Sequence, residues 1–238
     1  MSEAFKFKQF SIDQTDAPFK VGTDGVLLGS WCAKNSIPRE RVLDIGTGTG
    51  LISLMLAQRF SGAKIDAVEI DTNAANVAKR NINSSQWAQR ISLDPIGLQN
   101  FQPKDQYDLI TCNPPYFIDA ELSDNRSKNL ARHEIQLTLN EVLQFASGYL
   151  TKNGLLSIIL PYERISQIIE ESGKVGLYPS RICKVLPTPT SKPKRVMIEL
   201  GKRMPTCSEE QLIIEKYGRH QYSEEYKALT GEFYLDLK

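Results

Sequence analysis

The segment DIGTGTG, residues 44 to 50, has a residue pattern that could bind a ligand. Glycines at 46, 48 and 50 have no side chains, so the backbone there can pass close to a bound molecule. The apolar segment RVLDI comes before it and a helical pattern follows, so the free amides of a helix start face the same ligand. The pattern predicts a loop that binds a nucleotide-like ligand; a plain strand-to-helix turn is the alternative.

The spacing argues against a nicotinamide dinucleotide as that ligand. The dinucleotide fingerprint has glycine or alanine at its sixth place, and counting from Gly46 that place holds Leu51. Further along, VEID ends a second apolar segment, where an acidic side chain can accept hydrogen bonds from ribose hydroxyls. We assign this role to Glu69 and expect Asp71 to start a helix. An ordinary exposed acid is the alternative for Glu69.

A third group of candidates, Asn113, Pro114, Pro115 and Tyr116, follows the apolar segment YDLITC. It joins an amide and an aromatic ring to two residues that cannot donate a backbone hydrogen bond. On its own, NPPY is well explained as a strand terminator. Its position on the fourth strand, after a glycine loop and an acidic second strand, favours an active site.

The elements that must position these residues alternate between two periods. Segments rich in Val, Ile and Leu predict buried strands at 41–45, 63–70, 90–93, 107–112, 154–160 and 195–200. Apolar residues at helical spacing predict helices at 50–60, 73–88, 139–150 and 163–172. The alternation predicts an α/β, doubly wound Rossmann-like fold with a mostly parallel sheet. The Pro-rich basic segment 187–195 predicts a C-terminal antiparallel hairpin.

Two regions lie outside this alternation. In residues 1–35, Phe5, Phe7 and Phe10 indicate a short β element before a helix. The polar residues 201–238 contain enough aromatics to pack on the core as a tail, or to meet a partner. We therefore divide the chain into an N-terminal extension, a core at 36–200 and a C-terminal tail.

Bulk composition limits the possible functions. The chain has 238 residues, 41% of them hydrophobic, which is enough for one sizeable core. The net charge of +1 demands no nucleic-acid or membrane partner, so any electrostatic footprint must be local. The sequence has neither an apolar run of about 20 residues nor a secretion signal, so we expect a cytoplasmic protein. No CxxC pair occurs, which predicts reduced thiols and no metal site for Cys32, Cys112, Cys183 and Cys207.

Taken together, VLDIGTGTG, VEID and NPPY resemble the class I S-adenosylmethionine-dependent methyltransferases that methylate amino nitrogens. In that family the Asn side-chain oxygen and the carbonyl of the following proline accept the two amino hydrogens. The resemblance therefore implies Asn113 and Pro114 as catalytic acceptors on a turn stiffened by prolines, including Pro115, with Tyr116 stacking on the target. No general base is required, so His133 is given no acid or base role.

The N-terminal segments FKFKQF and KVGTDGVLLGSW extend the resemblance over nearly the whole chain. They are similar to the bacterial family that methylates N6 of the adenosine beside the anticodon of a valine tRNA. This implies S-adenosylmethionine as cofactor, tRNA as partner, and a KVGTDG segment that covers the cofactor. The implied cofactor-binding residues are Lys20, Gly22, Thr23, Asp44, Gly46, Thr47, Gly48, Glu69 and Asn113. Thr23 or Asp24 could instead cap the following helix.

The sequence departs from the family pattern in one place. Related enzymes often have an acidic residue after strand three that binds the adenine amino group of the cofactor, and the matching place here holds Gly97. Either Asp94 from a shifted loop or backbone groups must take over that role.

Contact with RNA requires a basic surface near NPPY. The candidates lie in the loop after the motif, SDNRSKNLARHE, and in the late hairpin: Arg126, Lys128, Arg132, His133, Lys192, Lys194 and Arg195. Lys6 and Lys8 add to them at the start of the chain. Each one alone is explained as a solvated surface charge, whereas the set flanking one pocket favours RNA binding.

We expect a monomer that methylates adenosine N6 in tRNA. The same NPPY tetrapeptide serves enzymes that methylate a glutamine amide in release factors, so a protein substrate is the enzymatic alternative. A module that binds a nucleoside or RNA without catalysis is the alternative of another class.

Overall fold

The computed structural model describes residues 4–34, 38–114, 137–204 and 206–236. A small antiparallel pair comes first, formed by β1 (Phe5–Lys6) and β2 (Ser11–Ile12), and α1 (Thr23–Trp31) follows. The rings of Phe7 and Phe10 stack with their centroids 4.6 Å apart, close to Tyr234 near the other end of the chain. The N-terminal extension is therefore packed into the same body as the C-terminal residues.

Strands and helices then alternate along the core. In chain order they are β3 (Arg41–Ile45), α2 (Leu51–Arg59), β4 (Lys64–Val68), α3 (Thr72–Asn83), β5 (Ile91–Asp94), β6 (Tyr107–Cys112), α4 (Leu139–Tyr149), β7 (Leu150–Pro161), α5 (Ile165–Lys174), β8 (Tyr178–Leu186), β9 (Arg195–Gly201), β10 (Ser208–Ile213), β11 (Glu215–Gly218), β12 (Gln221–Tyr222) and α6 (Glu224–Thr230).

Eight of these strands form one sheet in the order β10-β8-β9-β7-β6-β3-β4-β5. Neighbours from β7 through β5 are parallel, whereas β9 is antiparallel to both β7 and β8. Hydrophobic clusters cover both faces of the sheet, one around Trp31 and Met55 and the other around Leu143 and Ile158. The predicted doubly wound fold with a C-terminal antiparallel hairpin is confirmed. No helix of the described residues is long and apolar enough to cross a membrane.

The sequence patterns overextended one helix and missed four strands, which are β8, β10, β11 and β12. β8 was not predicted, and β10 lies in the predicted polar tail, where it pairs in parallel with β8 as the edge of the sheet. The predicted helix at 73–88 ends at Asn83, because Ser85 turns the chain: its amide donates to Ile82 O at 3.0 Å and its hydroxyl accepts from Trp87 N at 3.2 Å.

One buried amide joins the N-terminal extension to the glycine loop. The Asn81 oxygen accepts a hydrogen bond from Asp13 N at 2.8 Å. Its nitrogen donates to Asp13 O at 3.1 Å and to Thr49 O at 2.9 Å. Since Asn81 is buried on α3, these bonds fix two separate chain segments against one helix.

We predict that Asn81→Ala lowers the free energy of unfolding by about 2 kcal/mol, because it leaves buried backbone groups of residues 13 and 49 without partners. Urea denaturation measures the loss. Asn83→Ala is the control, since Asn83 is exposed on the same helix and the substitution is the same. We expect the control to change stability by less than about 0.5 kcal/mol. Equal effects of the two substitutions would contradict the assigned role of Asn81.

Candidate active site

A cavity of about 910 Å³ opens at the carboxyl ends of the parallel strands. Its walls come from the ends of β3, β4, β6 and β7, the segment after β5, and residues 19–25 before and within α1. Ligand pockets of drug-sized molecules enclose roughly 300–1,000 Å³, so a nucleoside cofactor fits this volume. The carboxyl edge of a doubly wound sheet is also where such folds bind ligands.

The glycine loop forms one wall of the cavity. Gly46 and Gly48 have φ angles of +67° and +59°, in the left-handed region that favours glycine. A Cβ built on either residue would have no atom within 4 Å, so the loop leaves open space beside its backbone. The amides of Gly46 and Thr47 both donate to Val68 O, at 2.9 and 3.1 Å, which ties the loop to the end of β4.

Glu69 holds the loop from the neighbouring strand end. One carboxylate oxygen accepts from Gly48 N at 2.9 Å and the other accepts from Asp71 N at 2.9 Å. Burial raises the pKa of Glu69, and the two backbone hydrogen bonds oppose this shift. Glu69 also lines the cavity. As expected, Asp71 starts α3: its carboxylate accepts from Ala74 N at 2.8 Å.

Asp44 is hydrogen-bonded to three separate segments of the chain. The side chain is fully buried behind the loop and is not part of the cavity wall. Its carboxylate accepts hydrogen bonds from the hydroxyls of Thr47, Ser53 and Thr111 at 2.6 to 3.0 Å, and from Ser53 N at 3.1 Å. Burial raises the pKa of Asp44, and these hydrogen bonds oppose the shift. Asp44 therefore positions the glycine loop, and its implied contact with the cofactor stays a prediction.

The start of α1 and the residues just before it form another part of the cavity wall. Lys20, Gly22 and Thr23 all line the cavity. The N-cap of α1 is Gly22 and no side chain caps the helix, so the alternative role of Thr23 or Asp24 as N-cap is wrong. Asp24 instead accepts a hydrogen bond from Nε of Arg195 at 2.8 Å. This ion pair bridges α1 and the first residue of β9.

Asn113 and Pro114 lie on the cavity wall where β6 ends. The Asn113 amide sits against α1 at Gly25, where an added Cβ would lie 3.7 Å from Asn113 Nδ2 and 3.0 Å from Leu51 Cδ2. A Cβ at Gly25 would therefore press on Leu51, whereas its distance from the Asn113 amide is an ordinary van der Waals contact. Pro115 and Tyr116 lie outside the described residues.

Gly97 also has a structural explanation. A Cβ at this position would lie 2.8 Å from Gln99 Oε1 and 2.9 Å from Ile70 Cδ1. An acidic side chain would therefore displace both neighbours, and Gln99 occupies the space instead. The Gln99 amide nitrogen donates to Glu141 Oε1 at 2.9 Å, which fixes the orientation of the amide. Gly97, Gln99 and Ile70 all line the cavity.

The predicted RNA contacts are only partly described. Arg126, Lys128, Arg132 and His133 lie outside the described residues. Lys192 and Lys194 are exposed in the loop between β8 and β9, as predicted from their position. Arg195 is not a free surface cation, because it binds Asp24 in the cavity wall. Lys6 is exposed, and Lys8 Nζ donates to Gly231 O at 2.5 Å.

Several cavity residues had not been singled out from the sequence. They follow strand ends or begin helices, and that position was the available signal: Ile70, Leu98, Gln99, Asn140, Arg164 and Gln167. Within the described ranges, no three His, Cys, Asp or Glu side chains could hold a metal ion. Cys32, Cys112 and Cys183 are buried thiols, and burial raises the pKa of Cys32 to about 11.

We predict that Glu69→Ala weakens binding of S-adenosylhomocysteine by about 10- to 100-fold, because it removes a carboxylate that holds Gly48 and faces the cavity. Isothermal titration calorimetry measures the dissociation constant. Glu40→Ala is the control: Glu40 is exposed just before β3, at the opposite edge of the sheet. A variant at position 69 that binds as tightly as this control would show that Glu69 does not serve the cofactor.

Solved structures share this fold. A predicted O-methyltransferase from Agrobacterium tumefaciens superimposes with a TM-score of 0.67 at 21% identity, over 88% of this chain and 96% of its own. A type I restriction-modification methyltransferase subunit from Streptococcus thermophilus gives 0.59 at 14% identity, over 88% of this chain and 51% of its own. At these identities the similarity supports the fold alone.

Sequence comparisons identify the family as well as the fold. Residues 21–171 match the model of the methyltransferase small domain. A tRNA1(Val) (adenine(37)-N6)-methyltransferase from Flavobacterium psychrophilum is 43% identical, covering 98% of this chain and 100% of its own length. Proteins of the same name from Bacteroides thetaiotaomicron and Vibrio campbellii are 41% and 39% identical, covering 98% and 99% of this chain and 98% and 97% of their own lengths. The chain therefore belongs to the methyltransferase small domain family and to the family of the tRNA1(Val) (adenine(37)-N6)-methyltransferases.

Proposed function

We propose that this chain transfers a methyl group from S-adenosylmethionine to N6 of adenosine 37, beside the anticodon of tRNA(Val), and acts as a cytoplasmic monomer. One observation carries the proposal: Asn113 and Pro114 share a single cavity with the glycine loop and Glu69. Amine acceptors and a nucleoside site therefore face the same space. Full-length relatives that bear this enzyme name support the choice of substrate.

The cofactor side of the cavity has the features that a nucleoside with a charged tail requires. S-adenosylmethionine, the methyl donor of this family, supplies an electrophilic methyl group when it is bound. Glu69 offers carboxylate oxygens at the cavity wall for ribose hydroxyls. Gly46 and Gly48 leave open space beside their backbone, which lets a ligand approach the loop closely.

Asn113 and Pro114 act on the amine. The lone pair of an exocyclic adenine amine is delocalised into the ring, so the free amine is a poor nucleophile. The Asn113 side-chain oxygen and the Pro114 carbonyl accept the two amino hydrogens and hold the nitrogen where its lone pair can attack. Because proline fixes the backbone, these acceptors are in place before the substrate arrives.

Positioning supplies most of the rate enhancement in this account. Alignment of a nucleophile with its target contributes roughly 7–11 kcal/mol, more than any single hydrogen bond. In this proposal Tyr116 stacks on the target base. The stacking stabilises the bound base by about 1–3 kcal/mol, which offsets the cost of unstacking that base from its neighbours in the RNA. The nitrogen becomes strongly acidic once methylated and releases its proton to water. No side chain is needed as a base.

We predict that Asn113→Ala lowers kcat by about 10²- to 10³-fold, the usual loss when one preorganised polar group is removed from a reacting atom. The dissociation constant for S-adenosylhomocysteine should stay within about threefold of wild type. Initial rates with tRNA and calorimetry measure the two quantities. Asn83→Ala serves as control, because Asn83 is exposed on α3 and does not line the cavity. Unchanged turnover in the Asn113 variant would defeat the mechanism.

The substrate is tested by offering both amine classes to the enzyme. With radiolabelled methyl donor, we expect label in tRNA and none in a release factor, and nucleoside mass spectrometry should detect N6-methyladenosine. A tRNA(Val) transcript with guanosine in place of adenosine 37 is the control and should take up no label. Label that enters only the release factor would replace this proposal with glutamine methylation.

A further inference from the structure

A short hairpin beyond β10 carries charged and aromatic side chains that the proposed reaction does not use. Strands β11 and β12 form it, and its exposed residues include Lys216, Tyr217, Arg219 and His220. Tyr217 keeps 61% of its surface exposed, and Lys216 Nζ lies 5.7 Å from the centre of its ring. Cations beside an exposed aromatic ring are the combination that binds nucleic-acid strands.

The hairpin lies at the same edge of the sheet as the cavity. β10 is parallel to β8, and β8 runs in the direction of β7, so the end of β10 points to the cavity side. Glu215 N donates to Pro187 O at 2.9 Å, which places the hairpin beside the loop that carries Lys192 and Lys194. Four inter-strand spacings of about 4.8 Å separate β10 from β6, or about 19 Å.

The hairpin presents these charges on a fixed backbone. Glu215 Oε1 accepts from His220 N at 2.9 Å, and Ser223 N donates to Ile214 O at 2.9 Å. The Glu225 backbone amide and, after it, the charge of Lys216 lower the pKa of Glu225. Within the described residues, no ion pair is formed by Lys192, Lys194, Lys216 or Arg219. These four cations are therefore available to an external anion.

We propose that the β11–β12 hairpin binds the phosphate backbone of the RNA substrate away from the target nucleotide, with Tyr217 packing its ring on a neighbouring base. Stacked nucleotides advance about 3.4 Å along one strand, so 19 Å corresponds to about five or six nucleotides from the methylated adenosine. The inference rests on the proposed function, because it takes the RNA that enters the cavity as the ligand.

The test compares three variants with wild-type enzyme. Lys216→Gln with Arg219→Gln removes the hairpin charges, and Tyr217→Ala removes the ring. Lys64→Gln with Lys152→Gln is the matched control, because both lysines are exposed at the opposite edge of the sheet and the same charge is lost. Filter binding gives the Kd for tRNA between 50 and 300 mM salt, and initial rates give kcat and KM.

We expect the hairpin charge variant to raise KM and Kd for tRNA about tenfold, with kcat and S-adenosylhomocysteine affinity within about twofold of wild type. The slope of log Kd against log salt should fall by about 1.5 to 2, as for two lost phosphate contacts. Tyr217→Ala should raise Kd at least threefold without changing that slope, and the control should change neither quantity.

Hairpin and control variants with the same Kd and slope would overturn this inference and leave the proposed function intact. A normal Kd for Tyr217→Ala would overturn the stacking contact. If the wild-type enzyme methylates no RNA, the proposed function fails, and the binding measurements still decide whether the hairpin is an RNA contact.

Discussion

The site depends on one buried carboxylate, that of Asp44 in the centre of the sheet. It accepts hydrogen bonds from the glycine loop at Thr47, from the first turn of α2 at Ser53 and from β6 at Thr111. Thr111 stands two residues before Asn113, so the same carboxylate fixes both the cofactor loop and the strand that carries the amine acceptor. Burial raises the pKa of Asp44, and the four hydrogen bonds that it accepts offset part of this shift. The distance between the two halves of the site is thus built into the core.

A second set of contacts joins the segment around α1 to this core. Asn81 ties Asp13 to the glycine loop, and Arg195 ties Asp24 to β9. Gly25 faces Asn113 without a side chain between them. Residues 13–25 are therefore held by contacts with α3, with Asn113 and with β9, which lie far apart in sequence.

The sequence predicted the parts of the fold that follow local rules. Buried parallel strands are apolar runs, so β3, β4, β6 and β7 were found close to their observed bounds. β10 was missed because an edge strand needs only a few buried residues: SEEQLI buries one side chain, and Glu209 forms an ion pair with Lys184. The helix at 73–88 was overextended because periodicity continued past Asn83, whereas Ser85 hydrogen bonds turned the chain. The spacing of apolar residues does not show where a side chain competes with the helix for backbone hydrogen bonds.

The candidate site was predictable as far as strand ends go, because motif positions indicate which loops meet at the carboxyl edge. Contacts between side chains that lie far apart in sequence could not be predicted. Asp44 and Arg195 were both expected at a ligand, and each is engaged by protein atoms that only the tertiary fold brings near. Other arginines are used in the same way: Arg59 donates to Gly29 O and Cys32 O, and Arg181 pairs with Glu210. The planar arginine fork suits such internal bonding, whereas lysine prefers solvent. Among the cations predicted for the loop between β8 and β9, Lys192 and Lys194 are therefore exposed, whereas Arg195 is held by Asp24.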